Sequence, residues 1–415
     1  MKQTIYPFET HRLPIEKIDP DALFVMQKLR QAGFTAYLVG GSVRDLLLNH
    51  TPKDFDISTS AEPEQIKRLF RNALLIGRRF RLAHIRFGEN VLEVSTFRSG
   101  NNEADTLILR DNEWGSPEED VLRRDFTING LFYDSSNQTV IDYVGGYNDI
   151  EKRFLRTIGQ PFLRFKQDPV RMLRLLKFKA RFGFEIDHDA HIALLETRHE
   201  ITKSSPARVL EELLRMLESG ASKSFFALLS DYGFLQLMMP EVAVFLEMPE
   251  GQDIYGYLQE VDTNCYHVNM PPIDRAVLLC NILFPMLQKR IQTRYVERGK
   301  NPHLGEIQDV AYDMIGEVFH SFLQLPRKIK MEAVSVLTFQ YRLTPLEKRK
   351  AGPLRIPNDP NFFLALQFLE IRSFIEPGLQ KIWEDWQEAI DGPPSAARKP
   401  RRRKAGPKGP KKEGS

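Results

Sequence analysis

The chain is poor in cysteine: its 415 residues include two, Cys265 and Cys280, with no C-x-x-C spacing. That excludes a disulfide framework, argues against a zinc site and fits a reducing cytoplasm. Also missing is any apolar run of the ~18–20 residues needed to cross a bilayer, so no membrane partner is expected. The opening stretch "MKQTIYPFETHRLPIEK" has neither an apolar core nor a small-residue cleavage site, and no secretory signal is expected. There is no short-period internal repeat. No His-Asp pair suggestive of a phosphohydrolase stands out in the C-terminal half.

What is there is a globular composition, 42% hydrophobic and 27% charged. The length predicts two or three domains. The net charge of +3 hides an asymmetry. Residues 398–415, "RKPRRRKAGPKGPKKEGS", carry nine Lys/Arg and one Glu, a net +8, so the remainder sums to −5. A tail rich in Pro and Gly cannot bury a core and is expected to be disordered. It either favours polyanions, with binding that weakens steeply in salt, or simply solubilises the chain.

Hydrophobic periodicity divides the rest. "PDALFVMQKLRQA" (20–32) spaces Leu23, Val25, Met26 and Leu29 on one helix face, with Gly33 ending it. "TAYLVGG" reads as a buried strand running into a turn, "SVRDLLLN" as a helix start, and "KDFDIST" as the next strand. A helix "EPEQIKRLF" and strands "ALLIG", "AHIRFG" and "VLEVSTFR" follow. Beyond about residue 140 strand signals fade. Helical patterns then run to about residue 390, starting with "DPVRMLRLLKFKARFGF" and including "DAHIALLETRHEI" and "PARVLEELLRMLES". "PEGQDIYGY" and "FPMLQKRIQTRYVERGKNPHLGE" read as breaks or loops.

The chemistry-bearing residues cluster. On a strand, Asp54 and Asp56 would share a face about 6.6 Å apart, with Phe55 toward the core. Two like charges there repel unless a cation sits between them, and hard oxygen donors suit Mg²⁺. A lone pair of this kind is more often a solvated strand end. Fourteen residues earlier, Gly40-Gly41 ends a strand and opens a helix, where backbone N–H groups can approach phosphate. Arg44 can add a fork of donors. "RRDFTINGL" brings together Arg123 and Arg124, which suit a triphosphate, and Asp125, which can orient them, bind ribose or approach the metal. In isolation this is also a plausible surface ion-pair cluster. In "QDPVRMLRLLKF", Asp168 reads as an N-cap with Pro169 at the first helical position. Asp168, Arg171 and Arg174 share one helix side, opposite Val170, Leu173 and Leu176. An Asp and an Arg there could offer an acceptor and donors to a base edge; a cap with solvated arginines is the simpler alternative. Glu93 is a reserve third carboxylate, or a buried, ion-paired one.

Together, "LVGGSVRDLLL", "KDFDIST", "EVSTFR", "RRDFTINGLFYD", "DYVGGYNDI" and "DPVRMLRLLKFKARFG" resemble the ordered motifs of class II template-independent RNA nucleotidyltransferases. That family comprises CCA-adding tRNA nucleotidyltransferases and bacterial poly(A) polymerases. The resemblance covers about residues 30–215. It implies an α+β fold: a polymerase-β-like head (1–140), then an all-helical neck (141–220), body and tail (221–390), and a basic C-terminal tail (391–415). It further implies Asp54 and Asp56 on Mg²⁺, with Asp125 a third catalytic carboxylate. Gly40, Gly41, Arg44, Arg123 and Arg124 would hold the phosphates. Asp168 and Arg171 would read the base, supported by Arg174, and Arg208 with Glu211 or Glu212 would brace them. The segment "LLIGRRFRLAHIRFGENVLEVSTFR" and the basic tail are more similar to bacterial poly(A) polymerases than to CCA-adding enzymes. ATP, RNA 3′ ends and RNA-decay proteins are the expected partners, for a cytoplasmic monomer. The family's base-reading motif usually begins Glu-Asp; here it is Gln167-Asp168, which loosens the expectation of strict ATP use. A CCA-adding enzyme and a non-catalytic RNA-binding protein are the competing readings, the latter disfavoured by the intact acidic and arginine motifs.

Overall fold

The computed structural model describes residues 3–77, 82–99, 114–264, 272–320, 322–346, 354 and 356–391. The basic tail and the arginines at 78, 79 and 81 lie outside them. Eight strands form one sheet: β1 (Thr4–Tyr6), β2 (Ala36–Val39), β3 (Asp56–Thr59), β4 (Ala73–Ile76), β5 (Leu82–Phe87), β6 (Asn90–Thr96), β7 (Leu131–Asp134) and β8 (Thr139–Asp142). Their order is β1-β8-β7-β2-β3-β6-β5-β4. Only the central β3–β6 pair is parallel, joined by the helix Pro63–Leu69 and the β4–β5 hairpin. Sequence patterning does not single out β1, β7 or β8. Each is three or four residues long.

Strand alternation sorts the two sheet faces. Ala36, Leu38, Ile57, Leu92, Val94, Leu131 and Tyr133 point into the main core. That core continues through the helices as far as Ile371, so sheet and helices are packed as one body. Val39, Phe97, Phe132 and Ile141 point the other way, into a small apolar cluster under the helix Pro117–Arg123. Asp56, Ser58, Glu93 and Ser95 share this second face.

The expected strand through Asp54 is corrected. β3 begins at Asp56, where pairing starts on both sides, with Val39 of β2 and Glu93 of β6. Asp54 has no strand partner and lies in the loop before β3, so the same-face argument does not reach it. Phe55 is half-buried against the core, as expected.

The "DYVGGYNDI" motif has a local cause. The Asp142 carboxylate accepts four successive backbone N–H groups, from Val144, Gly145, Gly146 and Tyr147, at 2.8–3.2 Å. A Cβ at Gly146 would collide with the Thr127 carbonyl, so only glycine lets the helix Gly146–Lys152 back onto the turn at Thr127–Asn129.

Beyond this sheet the described residues are mostly helical, apart from a two-stranded parallel pair of Phe154–Leu155 with Glu185–Ile186, and among the described residues no helix is long and apolar enough to cross a membrane. The region read as breaks differs from expectation: the helix Arg275–Arg294 runs straight through Pro285. Burial of Ile282, Leu283, Phe284, Met286 and Leu287 offsets the one N–H that proline removes. The chain breaks only afterwards, before the helix Leu304–Val318.

The amphipathic helix Val170–Phe182, called here the neck helix, joins the two regions. Its Phe178 is buried, meets Phe126 edge-on at 5.6 Å, and lies 4.9 Å beneath the Arg44 guanidinium. Replacing Phe178 with Ala leaves a cavity at this junction and is expected to cost about 3–5 kcal/mol in urea unfolding. A cost below about 1 kcal/mol would mean that the junction does not depend on this ring.

Candidate active site

The site lies on the second sheet face, where the strands meet the neck helix. Gly40 follows β2 with φ +69°, a left-handed conformation that favours glycine. A Cβ here would lie 3.0 Å from Arg124 Nη1, so the missing side chain also admits that guanidinium. The helix Gly41–Leu47 starts at the next residue. Arg124 stacks over Phe132 at 5.4 Å, pairs with Asp120 at 2.8 Å and reaches Ser58 Oγ at 3.4 Å. It thus stands over the strand that begins with Asp56.

Asp56 is exposed at the start of β3, with the rest of that strand buried. Its pKa is pushed up to about 6, chiefly by desolvation; the Glu93 charge adds, Arg124 opposes, and Asp54 adds again. Glu93, the reserve carboxylate, is half-exposed rather than buried, and lies 3.7 Å from His84 of β5. A carboxylate whose charge is disfavoured by burial and by neighbouring acids fits a hard divalent cation, which would relieve that repulsion. Among the described residues no group of three or more His, Cys, Asp or Glu side chains is arranged to hold a metal. The fit is therefore to an ion bound by one or two carboxylates and completed by substrate phosphates and water, the usual habit of Mg²⁺.

Arg44 and Asp125 have partners other than those expected. Arg44 is 4% exposed. It grips Asp45 through Nε and Nη2 at 2.8 and 2.7 Å, donates to Asn129, and lies against the rings of Phe178 and Phe182, 4.9 Å from each. Burial lowers its pKa, against the Asp45 charge. Three of its five N–H donors are engaged inside the protein, so it braces the helix Gly41–Leu47 against Asn129 of the arginine motif. Asp125 is likewise enclosed. It accepts from Phe126 N and Asn129 Nδ2 at 2.8 and 2.9 Å and pairs with Arg174 at 2.9 Å. Burial alone raises its pKa, but Arg174 and those hydrogen bonds outweigh it and hold the carboxyl ionised. Asp125 thus ties the arginine motif to the neck helix.

The neck residues converge. The helix begins at Val170 after Pro169, and Asp168 does not cap it with its side chain. Arg208, from the helix Pro206–Leu217, draws the carboxylate away at 2.9 Å. Asp168 Oδ1 is buried with no hydrogen-bond partner. Arg171 is buried and donates to the carbonyls of Arg164 and Arg123, both at 3.3 Å. Arg174 also approaches Glu212, which in turn holds Lys177 at 2.9 Å. Glu212 is thus the bracing acid of the two considered, since Glu211 pairs with Arg215 and Arg275. Arg123 donates to the Ser99 carbonyl; burial, then repulsion from Arg98 and Arg171, lowers its pKa to about 10. Asn129, Asp45 and Arg181 were assigned no role from sequence, nor was Arg164. The first three lie inside recognised motifs, but nothing in those motifs signals their partners.

Comparison with known proteins then bears on identity. Residues 36–156 match the poly A polymerase head domain, and residues 183–246 match the probable RNA- and SrmB-binding site of polymerase A. Poly(A) polymerase I of Escherichia coli O157:H7 is 35% identical over 410 residues, covering 94% of this chain and 87% of that protein. The chain belongs to the tRNA nucleotidyltransferase/poly(A) polymerase family. As a member it is an RNA nucleotidyltransferase. The CCA-adding enzyme of Bacillus subtilis is 34% identical over 210 residues, covering 50% of this chain and 53% of that one. The Bacillus stearothermophilus CCA-adding enzyme in complex with CTP shares the fold, with a TM-score of 0.58 at 24% identity over 90% of this chain and 83% of that one.

Two outcomes are expected of this family site. Arg174→Met strands the buried Asp125 charge and should cost about 2 kcal/mol or more, less than a fully buried pair because Arg174 keeps 37% of its side chain exposed. Adding Asp125→Asn should restore part of that loss in urea unfolding; no recovery would show that the pair is not coupled. For Asp56, the folded carboxyl holds its proton up to about pH 6, whereas the unfolded one releases it near 3.8. Stability therefore falls as pH rises through that window and stays lower above it. Asp56→Asn should raise the metal-free Tm by about 1–2 °C at pH 7.5 and leave it unchanged at pH 4.

Proposed function

We propose that this protein is a poly(A) polymerase, adding AMP from ATP to RNA 3′ ends without a nucleic-acid template, in cytoplasmic mRNA processing and decay. The observation that carries the reading is the juxtaposition of Asp56, with Arg124 seated over Gly40, and a neck helix presenting Asp168 and Arg171. Similarity to poly(A) polymerase I across 94% of the chain, against about half of it for the CCA-adding enzymes, supports adenylate addition over CCA addition. The head would be residues 1–140, the neck 141–220, the helical body and tail 221–390, and the basic tail 391–415.

In this reading the RNA 3′-oxygen bonds to the α-phosphorus of ATP as the bond to the β-phosphate bridge breaks, releasing pyrophosphate; the hydroxyl proton passes to solvent. Mg²⁺ held by Asp54 and Asp56 would supply activation of the hydroxyl and charge neutralisation at the triphosphate. Arg123 and Arg124 hold the phosphates, with the N–H groups around Gly40 and Gly41 close by. Asp168 Oδ1, the buried acceptor without a partner, faces the adenine amino group. Arg171 donates beside it, while Arg208 fixes the carboxylate. The catalytic power is positioning and electrostatics rather than covalent chemistry.

Asp54→Ala and Asp56→Ala should each reduce ATP incorporation into RNA with Mg²⁺ by at least about a hundredfold. Near-normal rates in either would refute the acidic-pair assignment. In the same assay, ATP alone should be incorporated repeatedly. Strong CTP incorporation into tRNA lacking its CCA end would instead favour CCA addition.

A further inference from the structure

Arg164 is a buried cation to which neither the motifs nor the mechanism above gives a role. It lies in the short helix Pro161–Gln167 and is 2% exposed. Its Nη2 donates to the carbonyls of both Arg123 and Arg124, at 3.0 and 2.6 Å, and its Nη1 to Gln167 Oε1 at 3.4 Å. Those acceptors are neutral. The carboxylates whose charge it feels, Asp125 and Asp168, are held by Arg174 and Arg208, each at 2.9 Å. Burial, then repulsion from Arg171, lowers its pKa to about 10.

This grip has a directional consequence. Fixing two successive carbonyls fixes the peptide planes from which the Arg123 and Arg124 side chains leave. Arg124 has little latitude, packed against Gly40 on one side and Phe132 on the other. A buried guanidinium on neutral acceptors is also costly, and a nearby polyanion lessens that cost.

We propose that Arg164 is a positioning residue for the nucleotide triphosphate: it sets the main chain of Arg123 and Arg124, and its charge, facing the neutral Gln167, is balanced by the incoming phosphates. The inference rests on the nucleotidyl-transfer reading of this site but not on the choice between ATP and CTP. A carboxylate at position 167 would supply the balancing charge internally and compete with the phosphates.

The test uses the full chain with Arg164→Met, Arg164→Lys and Gln167→Glu, read in two ways. One is the thermal shift produced by inorganic tripolyphosphate without metal; the other is the KM and kcat of ATP incorporation into RNA with Mg²⁺. Gln167→Glu should melt higher than wild type without ligand, gain less from tripolyphosphate, and raise KM roughly tenfold. Arg164→Met should raise KM roughly 10- to 100-fold, more than it lowers kcat. Arg164→Lys should fall between, because an ammonium keeps the charge but loses the fork. Should Arg164→Met not fold, the other two variants still decide. Wild-type KM and wild-type tripolyphosphate shifts in Gln167→Glu and Arg164→Lys would overturn the inference, as would an Arg164→Met that loses stability with KM unmoved. A wild type that neither responds to tripolyphosphate nor incorporates nucleotide would sink the site reading itself.

Discussion

A chain of buried charges holds the catalytic geometry. It starts on the neck helix at Arg181, which pairs with Asp45 at 3.0 Å, and passes through Arg44 to Asn129. From Asn129 it continues to Asp125 and back to the neck helix at Arg174, then Glu212 and Lys177. The path leaves one helix, crosses the glycine-turn helix and the arginine motif, and returns to the same helix. Each polar group in it is expensive to bury alone, so the links stand or fall together.

That circuit explains why the acidic strand end and the base-facing helix keep one relative position. Asp56 is fixed by β-sheet register, and Asp168 and Arg171 by the start of the neck helix. The connection runs through Asp125 and Arg44, whose side chains are occupied by it. Charged residues in this site therefore divide into those that hold the framework together and those left to meet substrate. Asp56 is not part of that framework, and its raised pKa comes chiefly from desolvation, with the Glu93 charge adding and Arg124 opposing.

Electrostatics and packing act together here. Arg44 is held by Asp45 and equally by the faces of Phe178 and Phe182. The apolar cluster under the second sheet face supports Phe132, on which Arg124 stacks. An enzyme of this family needs its cations rigid before a triphosphate arrives, because ordering long side chains on binding would consume the affinity that the phosphates provide.

What the sequence determined by itself is local: the amphipathic neck helix, the glycine turn, and the acidic and arginine motifs whose order resembles the family. Periodicity and residue type act over a few residues and are legible there. The strands β1, β7 and β8 were not legible in the pattern. Only the tertiary structure decided which charges are spent internally. Arg44 meets Asn129 across 85 residues of sequence and Arg181 meets Asp45 across 136, distances at which no pattern in a single chain records a contact. The surroundings of Arg44 and Arg181 follow from those long-range pairings, since an arginine's chemistry is set by which acceptors surround it.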